Sequence, residues 1–165
     1  KDPKASLEGS DLPFAKKIPN EVTLNPEAIG KQRELIRSIH NMGKEVLLSS
    51  HVGVELSRDE IISLALEMEK RGPDIVKIVT PCADEDYARA IELLSAINEL
   101  KKRLHTPFVC LGTGTAGRLT RITGAMLGNC LVFANLKYES NSTPTQPLIR
   151  SAVTILREAS RDVRA

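Results

Sequence analysis

The chain has 165 residues, 41% of them apolar and 27% charged, with a formal net charge of +2: enough for one ordinary globular domain. That near-balance of charge, with 3% aromatics and no Trp, excludes a strongly basic or base-stacking nucleic-acid surface and asks for no anionic membrane. Cys82, Cys110 and Cys130 are too widely spaced for a CxxC metal site or a disulfide framework, and no apolar run reaches membrane length, so a reducing, cytoplasmic setting is expected, with no metal, membrane or nucleic-acid partner.

Residues 1–24 are polar with scattered Pro and Gly and read as an arm or loop, a short strand near 22–24 being the weak alternative. Residues 26–39 predict a helix capped by Asn25 and stopped near Gly43. Residues 46–50 predict a buried strand. Ser57-Arg58-Asp59-Glu60 is a capping-box pattern, and Ile61, Ile62, Leu64, Ala65, Leu66 and Met68 give the helix after it an apolar face that Gly72-Pro73 ends. A second strand, rich in β-branched residues, is predicted over 74–80. A helix over 84–103, a strand over 108–111, a short helix over 118–127 and a fourth strand over 130–133 follow. A last helix over 147–160 has Pro147 at its start, a favourable first position. Four strand–helix units in succession imply an α/β fold with parallel strands and crossover helices.

Lys77 breaks the pattern of its strand. Alternation puts Ile75, Lys77 and Val79 on one face and Val76 and Ile78 on the other. If Val76 and Ile78 pack under helices, Lys77 points to the opposite side, which is the interior in a barrel. An ammonium there is costly unless paired or deprotonated, and a desolvated lysine is a useful amine nucleophile for a carbonyl. The bland alternative is an edge lysine whose head reaches water. His51 follows directly on an apolar strand, where a histidine can exchange protons near neutral pH or be an ordinary loop residue. His40 and His105 fall at the other end of the strands and receive no role. Gly112, Gly114 and Gly117 make a formal GxGxxG match, but it comes late in the chain and lacks a carboxylate about 20 positions on, so dinucleotide binding is a minor reading.

Four motifs stand in order: Ser49-Ser50-His51 at a strand end; Gly72-Pro73-Asp74-Ile75-Val76-Lys77; Gly117-Arg118-Leu119-Thr120-Arg121; and Ser142-Thr143-Pro144-Thr145-Gln146. In this order and spacing, from residue 44 to the C-terminus, they resemble the type I 3-dehydroquinate dehydratase family. The resemblance implies a (β/α)8 TIM-barrel type, with this chain covering about the last four βα units over residues 25–165. A whole barrel needs about 250 residues, so the N-terminal half is expected to be missing here or supplied by another chain, and a homodimer or a complementary barrel half is the expected partner. The resemblance further implies a Schiff-base lyase that dehydrates 3-dehydroquinate to 3-dehydroshikimate in the shikimate pathway, without a metal or organic cofactor. Lys77 matches the imine-forming lysine and His51 the general acid/base. Arg121 matches the arginine that binds the substrate carboxylate, and Ser142 and Gln146 match polar residues of the closing lid.

The chain also departs from the family pattern. Val52-Gly53 replaces an Asp-Phe-like pair after the histidine, Thr113 stands where methionine is common, Thr143 and Thr145 replace small lid residues, and Thr120 replaces serine. Alternative readings are a non-catalytic paralogue or barrel fragment acting as a binding module, another lysine-imine enzyme such as a class I aldolase, and a nucleotide-binding half barrel.

Overall fold

The computed structural model describes residues 25–82 and 87–160. The expected arm over 1–24, and the start of the helix expected at 84, lie outside the described residues. Helix α1 spans Pro26–Asn41, and its first-turn amides of Glu27 and Ala28 donate to the Asn25 carboxamide oxygen at 3.0 and 3.3 Å. Strand β1 covers Leu47–His51 and helix α2 Arg58–Glu69. The capping box closes from both sides: the Ser57 hydroxyl accepts the Glu60 amide at 3.4 Å, and the Glu60 carboxylate accepts the Ser57 amide at 2.8 Å. Strand β2 covers Ile75–Pro81, helix α3 Tyr87–Arg103, strand β3 Phe108–Thr113, helix α4 Gly114–Leu127 and helix α5 Ile149–Ala159.

The three strands form one parallel sheet in the order β1-β2-β3, with Ser49 opposite Lys77 and Lys77 opposite Val109. The expected α/β organisation is therefore present. Helices cover one face. Val76, Ile78, Phe108 and Cys110 share a core there with Ile61, Leu64 and Met68 of α2, Leu93, Ile97 and Leu100 of α3, and Ala116 of α4. Each large aliphatic side chain so buried contributes about 1.5–3 kcal/mol, so this layer fixes the sheet. The opposite face holds a smaller cluster of Val79, Val109 and Leu111, with Ile75 and Phe133 against it.

The strand expected at 130–133 does not form. The Cys130 amide donates to the Phe108 carbonyl at 2.9 Å, but Leu131 is exposed and the stretch carries no strand pairing. The outer edge of β3 is instead closed by side chains. Asn129 takes both backbone groups of Cys110, accepting its N–H and donating to its carbonyl, each at 2.8 Å. The Thr120 hydroxyl accepts the Gly112 amide at 2.9 Å. Both backbone groups of Cys110 and the Gly112 amide are thereby taken from any ladder with 131–133. Among the described residues, β strand pairing beyond β3 is confined to one isolated parallel bridge, Asn135 with Leu148.

Helix α4 begins four residues before its expected start, and the glycines explain it. A Cβ on Gly117 would lie 2.6 Å from the Gly112 carbonyl carbon, and a Cβ on Gly112 would lie 2.6 Å from Cys82 Sγ. Both are sites of close packing between α4, β3 and the end of β2. Helix α5 starts two residues later than expected because Pro147 uses its carbonyl to accept the Asn135 amide at 2.8 Å and Leu148 is extended.

Candidate active site

Lys77 sits in mid-strand on β2, on the face turned away from the helices. The aliphatic stem lies half-buried beside Ile75 and Val79, and Nζ stands 4.9 Å from the centre of the Phe133 ring. A ring face at that distance attracts an ammonium and shields the amine from water on that side. Nζ is 3.1 Å from Nε2 of His51, the last residue of β1. The imidazole is exposed, so it can meet a ligand above the strand ends. With the ring proton on Nδ1, Nε2 accepts from the amine.

Arg121 projects from α4 and is 6% exposed. Its Nη2 donates to the Thr145 hydroxyl at 3.2 Å, while its buried Nε has no hydrogen-bond partner among the described residues. Burial pushes the guanidinium below its usual range, yet an arginine remains charged across the physiological range. A buried charge with an open donor is suited to an anion, above all a carboxylate that can take two parallel N–H groups.

The segment between Asn135 and Leu148 folds on itself. Asn135 bonds the carbonyls of Thr143 and Gln146 through its side chain, at 3.1 and 3.4 Å, and the Tyr138 hydroxyl donates to the Gln146 carbonyl at 3.0 Å. The Ser142 hydroxyl accepts the Glu139 amide at 2.9 Å and donates to the Lys137 carbonyl at 3.4 Å.

The structure thus brings Lys77 and His51 into direct contact and joins Arg121 to the loop through Thr145. It turns Ser142 to the loop's own backbone, and it holds Gln146 by its main chain. Phe133 and Thr145 were not legible as site residues: one was read as a strand residue and the other as a lid replacement. His40 and His105 lie away from the pair, as expected. The His40 imidazole meets Asp74 at 2.8 Å, and the His105 amide donates to Glu69 at 2.7 Å. Among the described residues, no cluster of His, Cys, Asp and Glu could hold a metal ion, and no helix is long and apolar enough to cross a membrane.

Fold and site together define an α/β protein that presents a lysine amine against an imidazole on the open face of a parallel sheet. Comparison with known proteins narrows the class. The family described as Type I 3-dehydroquinase matches residues 20–162. The 3-dehydroquinate dehydratase of Clostridium kluyveri is 33% identical over 128 residues, spanning 76% of this chain and 48% of that protein. The 3-dehydroquinate dehydratase of Aromatoleum aromaticum is 30% identical over 153 residues, spanning 87% of this chain and 53% of that one. The chain belongs to the type I 3-dehydroquinase family. Its fold is similar to the solved type I enzyme of Clostridium difficile, with a TM-score of 0.70 at 23% identity over 79% of this chain and 51% of that one. The Geobacillus kaustophilus 3-dehydroquinate dehydratase gives the same TM-score, 0.70. The chain spans about half the length of the curated relatives it matches.

Proposed function

We propose that this chain is the C-terminal half of a (β/α)8 barrel, covering about its last four βα units over residues 25–165, and that it carries the imine chemistry of a 3-dehydroquinate dehydratase. The observation that carries the reading is the 3.1 Å contact between Lys77 Nζ and His51 Nε2 on the open sheet face, in a chain of this family. The neutral Lys77 amine adds to the C3 ketone of 3-dehydroquinate, and loss of water gives an iminium. The iminium acidifies the C2 proton. Removal of that proton and departure of the C1 hydroxyl give the enone iminium, which water hydrolyses to 3-dehydroshikimate and free Lys77. His51 is the group placed to carry protons to and from the reacting atoms.

Arg121 takes the substrate carboxylate with its charged fork, and Thr145 orients that fork. Ser142 and Gln146 belong to the lid, which excludes water while the imine lives. The reaction so written needs no metal or organic cofactor. A cytoplasmic setting fits a shikimate-pathway enzyme. Among the described residues the sheet ends at β1 on one side, and an open strand edge favours a complementary barrel half or a second copy as partner.

The test is intact-protein mass spectrometry after mixing the chain with 3-dehydroquinate and borohydride. One reduced adduct mapping to Lys77 is expected. A folded sample without an adduct would remove the imine assignment for this chain.

A further inference from the structure

Ser49 pairs with Lys77 in the β1–β2 register, and strand alternation puts its side chain on the face of Lys77 and His51. Its Oγ is shielded from solvent and makes no hydrogen bond among the described residues. A buried hydroxyl without a partner is an unfavourable state that calls for an occupant. Ser50 is also buried with an unbonded hydroxyl, but it faces the helices, on the same side as Leu48, which packs against the main core. What sets Ser49 apart is its neighbour. Paired strands lie about 4.8 Å apart, so the Lys77 stem passes Ser49 on its way to His51. Rotation about the last side-chain bonds swings Nζ from the imidazole back toward the hydroxyl.

His51 cannot hold the Lys77 amine and carry protons for the substrate at the same moment. We propose that Ser49 is a positioning residue of this site, whose hydroxyl accepts a Lys77 N–H when His51 turns to the substrate. The inference rests on the imine reading above. Ser49 forms no covalent bond and gives up no proton; it keeps the amine aimed across the open face during the step in which the imidazole is engaged elsewhere.

The experiment is reductive labelling of Lys77 by glycolaldehyde and cyanoborohydride, read by peptide mapping across pH, with 3-dehydroquinate trapping run in parallel. The series is run with His51→Ala, so that the imidazole no longer holds the amine. A hydroxyl that accepts from the ammonium stabilises the charged form, and adding Ser49→Ala lowers the pH midpoint of Lys77 labelling by about half a unit or more relative to His51→Ala alone. Ser49→Thr restores it, and Ser50→Ala leaves it in place. A midpoint unmoved from that of His51→Ala when Ser49→Ala is added to it in a folded protein, or Ser49→Cys if the alanine double variant does not fold, overturns the proposal. So does a wild-type Lys77 that glycolaldehyde never labels. A shifted midpoint without a 3-dehydroquinate adduct keeps Ser49 in its role and removes the substrate reading alone.

Discussion

Lys77 Nζ and His51 Nε2 are 3.1 Å apart although the two residues sit at different levels of the sheet: Lys77 pairs with Ser49, and His51 pairs with Val79. The lysine reaches two positions along β1, which delivers its amine to the C-terminal edge of the sheet. The main core lies on the other face, so removing the amine leaves the packing in place. Lys77→Ala is expected to abolish adduct formation with 3-dehydroquinate and borohydride while changing stability by about 1 kcal/mol or less. Mass spectrometry and urea unfolding of the same preparation check both halves. Continued trapping in the variant would move the nucleophile elsewhere.

His51 ends its strand with an exposed ring, and its removal costs little packing. If it carries protons, His51→Ala slows turnover of 3-dehydroquinate by about 10²–10⁴-fold in the assembly that turns the substrate over. The covalent species should then accumulate, because hydrolysis of the imine also needs a proton carrier. Steady-state rates and the fraction of trapped protein are the two readouts. Wild-type rates would strip His51 of the acid/base role.

The legible parts of the fold were those written in local chemistry. Asn25, Ser57 and Glu60 announce their helices because capping is a contact between near neighbours. The face on which Lys77 lies follows from a period of two, and Val76 and Ile78 do lie beneath the helices. The strand expected at 130–133 failed for a reason outside its own residues. Apolar composition is the same whether or not a segment finds a ladder, and the groups it would have used are occupied by Asn129 and Thr120. Gly117 looked like a loop residue, yet it lies in α4, where only a residue without a Cβ can approach Gly112. In the site, Lys77 and His51 were legible as a misplaced cation and a strand-end imidazole. Phe133 and Thr145 were not, because their roles come from contacts made across the chain.

The closure of β3 by a side chain makes Asn129 a stability determinant. It is 8% exposed, and both ends of its carboxamide are committed to Cys110. Asn129→Ala leaves a buried N–H and a buried carbonyl without partners, and a loss of about 2–4 kcal/mol is expected. Asn129→Asp keeps the acceptor but not the donor, so the Cys110 carbonyl is still left unbonded. Urea unfolding with an unchanged m-value measures the loss. A loss below about 0.5 kcal/mol would mean that the edge is satisfied by residues 130–133 moving into strand pairing, which amide exchange at those positions would reveal.

At the opposite end of the strands, Asp74 ties β2 to the segment entering β1. Its Oδ2 accepts the Val46 amide at 2.6 Å and meets His40 Nε2 at 2.8 Å. The backbone N–H first, and then the imidazole, hold this carboxyl below its ordinary range. A folded-state value lower than the unfolded one means that the stabilisation is present above the unfolded value, near about pH 4, and is lost as pH falls through the folded value. The wild-type urea midpoint should therefore drop as pH is lowered from about 5 toward 3. Asp74→Asn is expected to be less stable at neutral pH and to give a flatter curve over that acid window, because its amide does not titrate. Glu69, which accepts the His105 and Thr106 amides at 2.7 Å, remains in the variant and leaves a residual slope. Parallel curves for the two proteins would show that Asp74 contributes nothing to the acid response, and the tie between β2 and Val46 would then be independent of the carboxylate's charge.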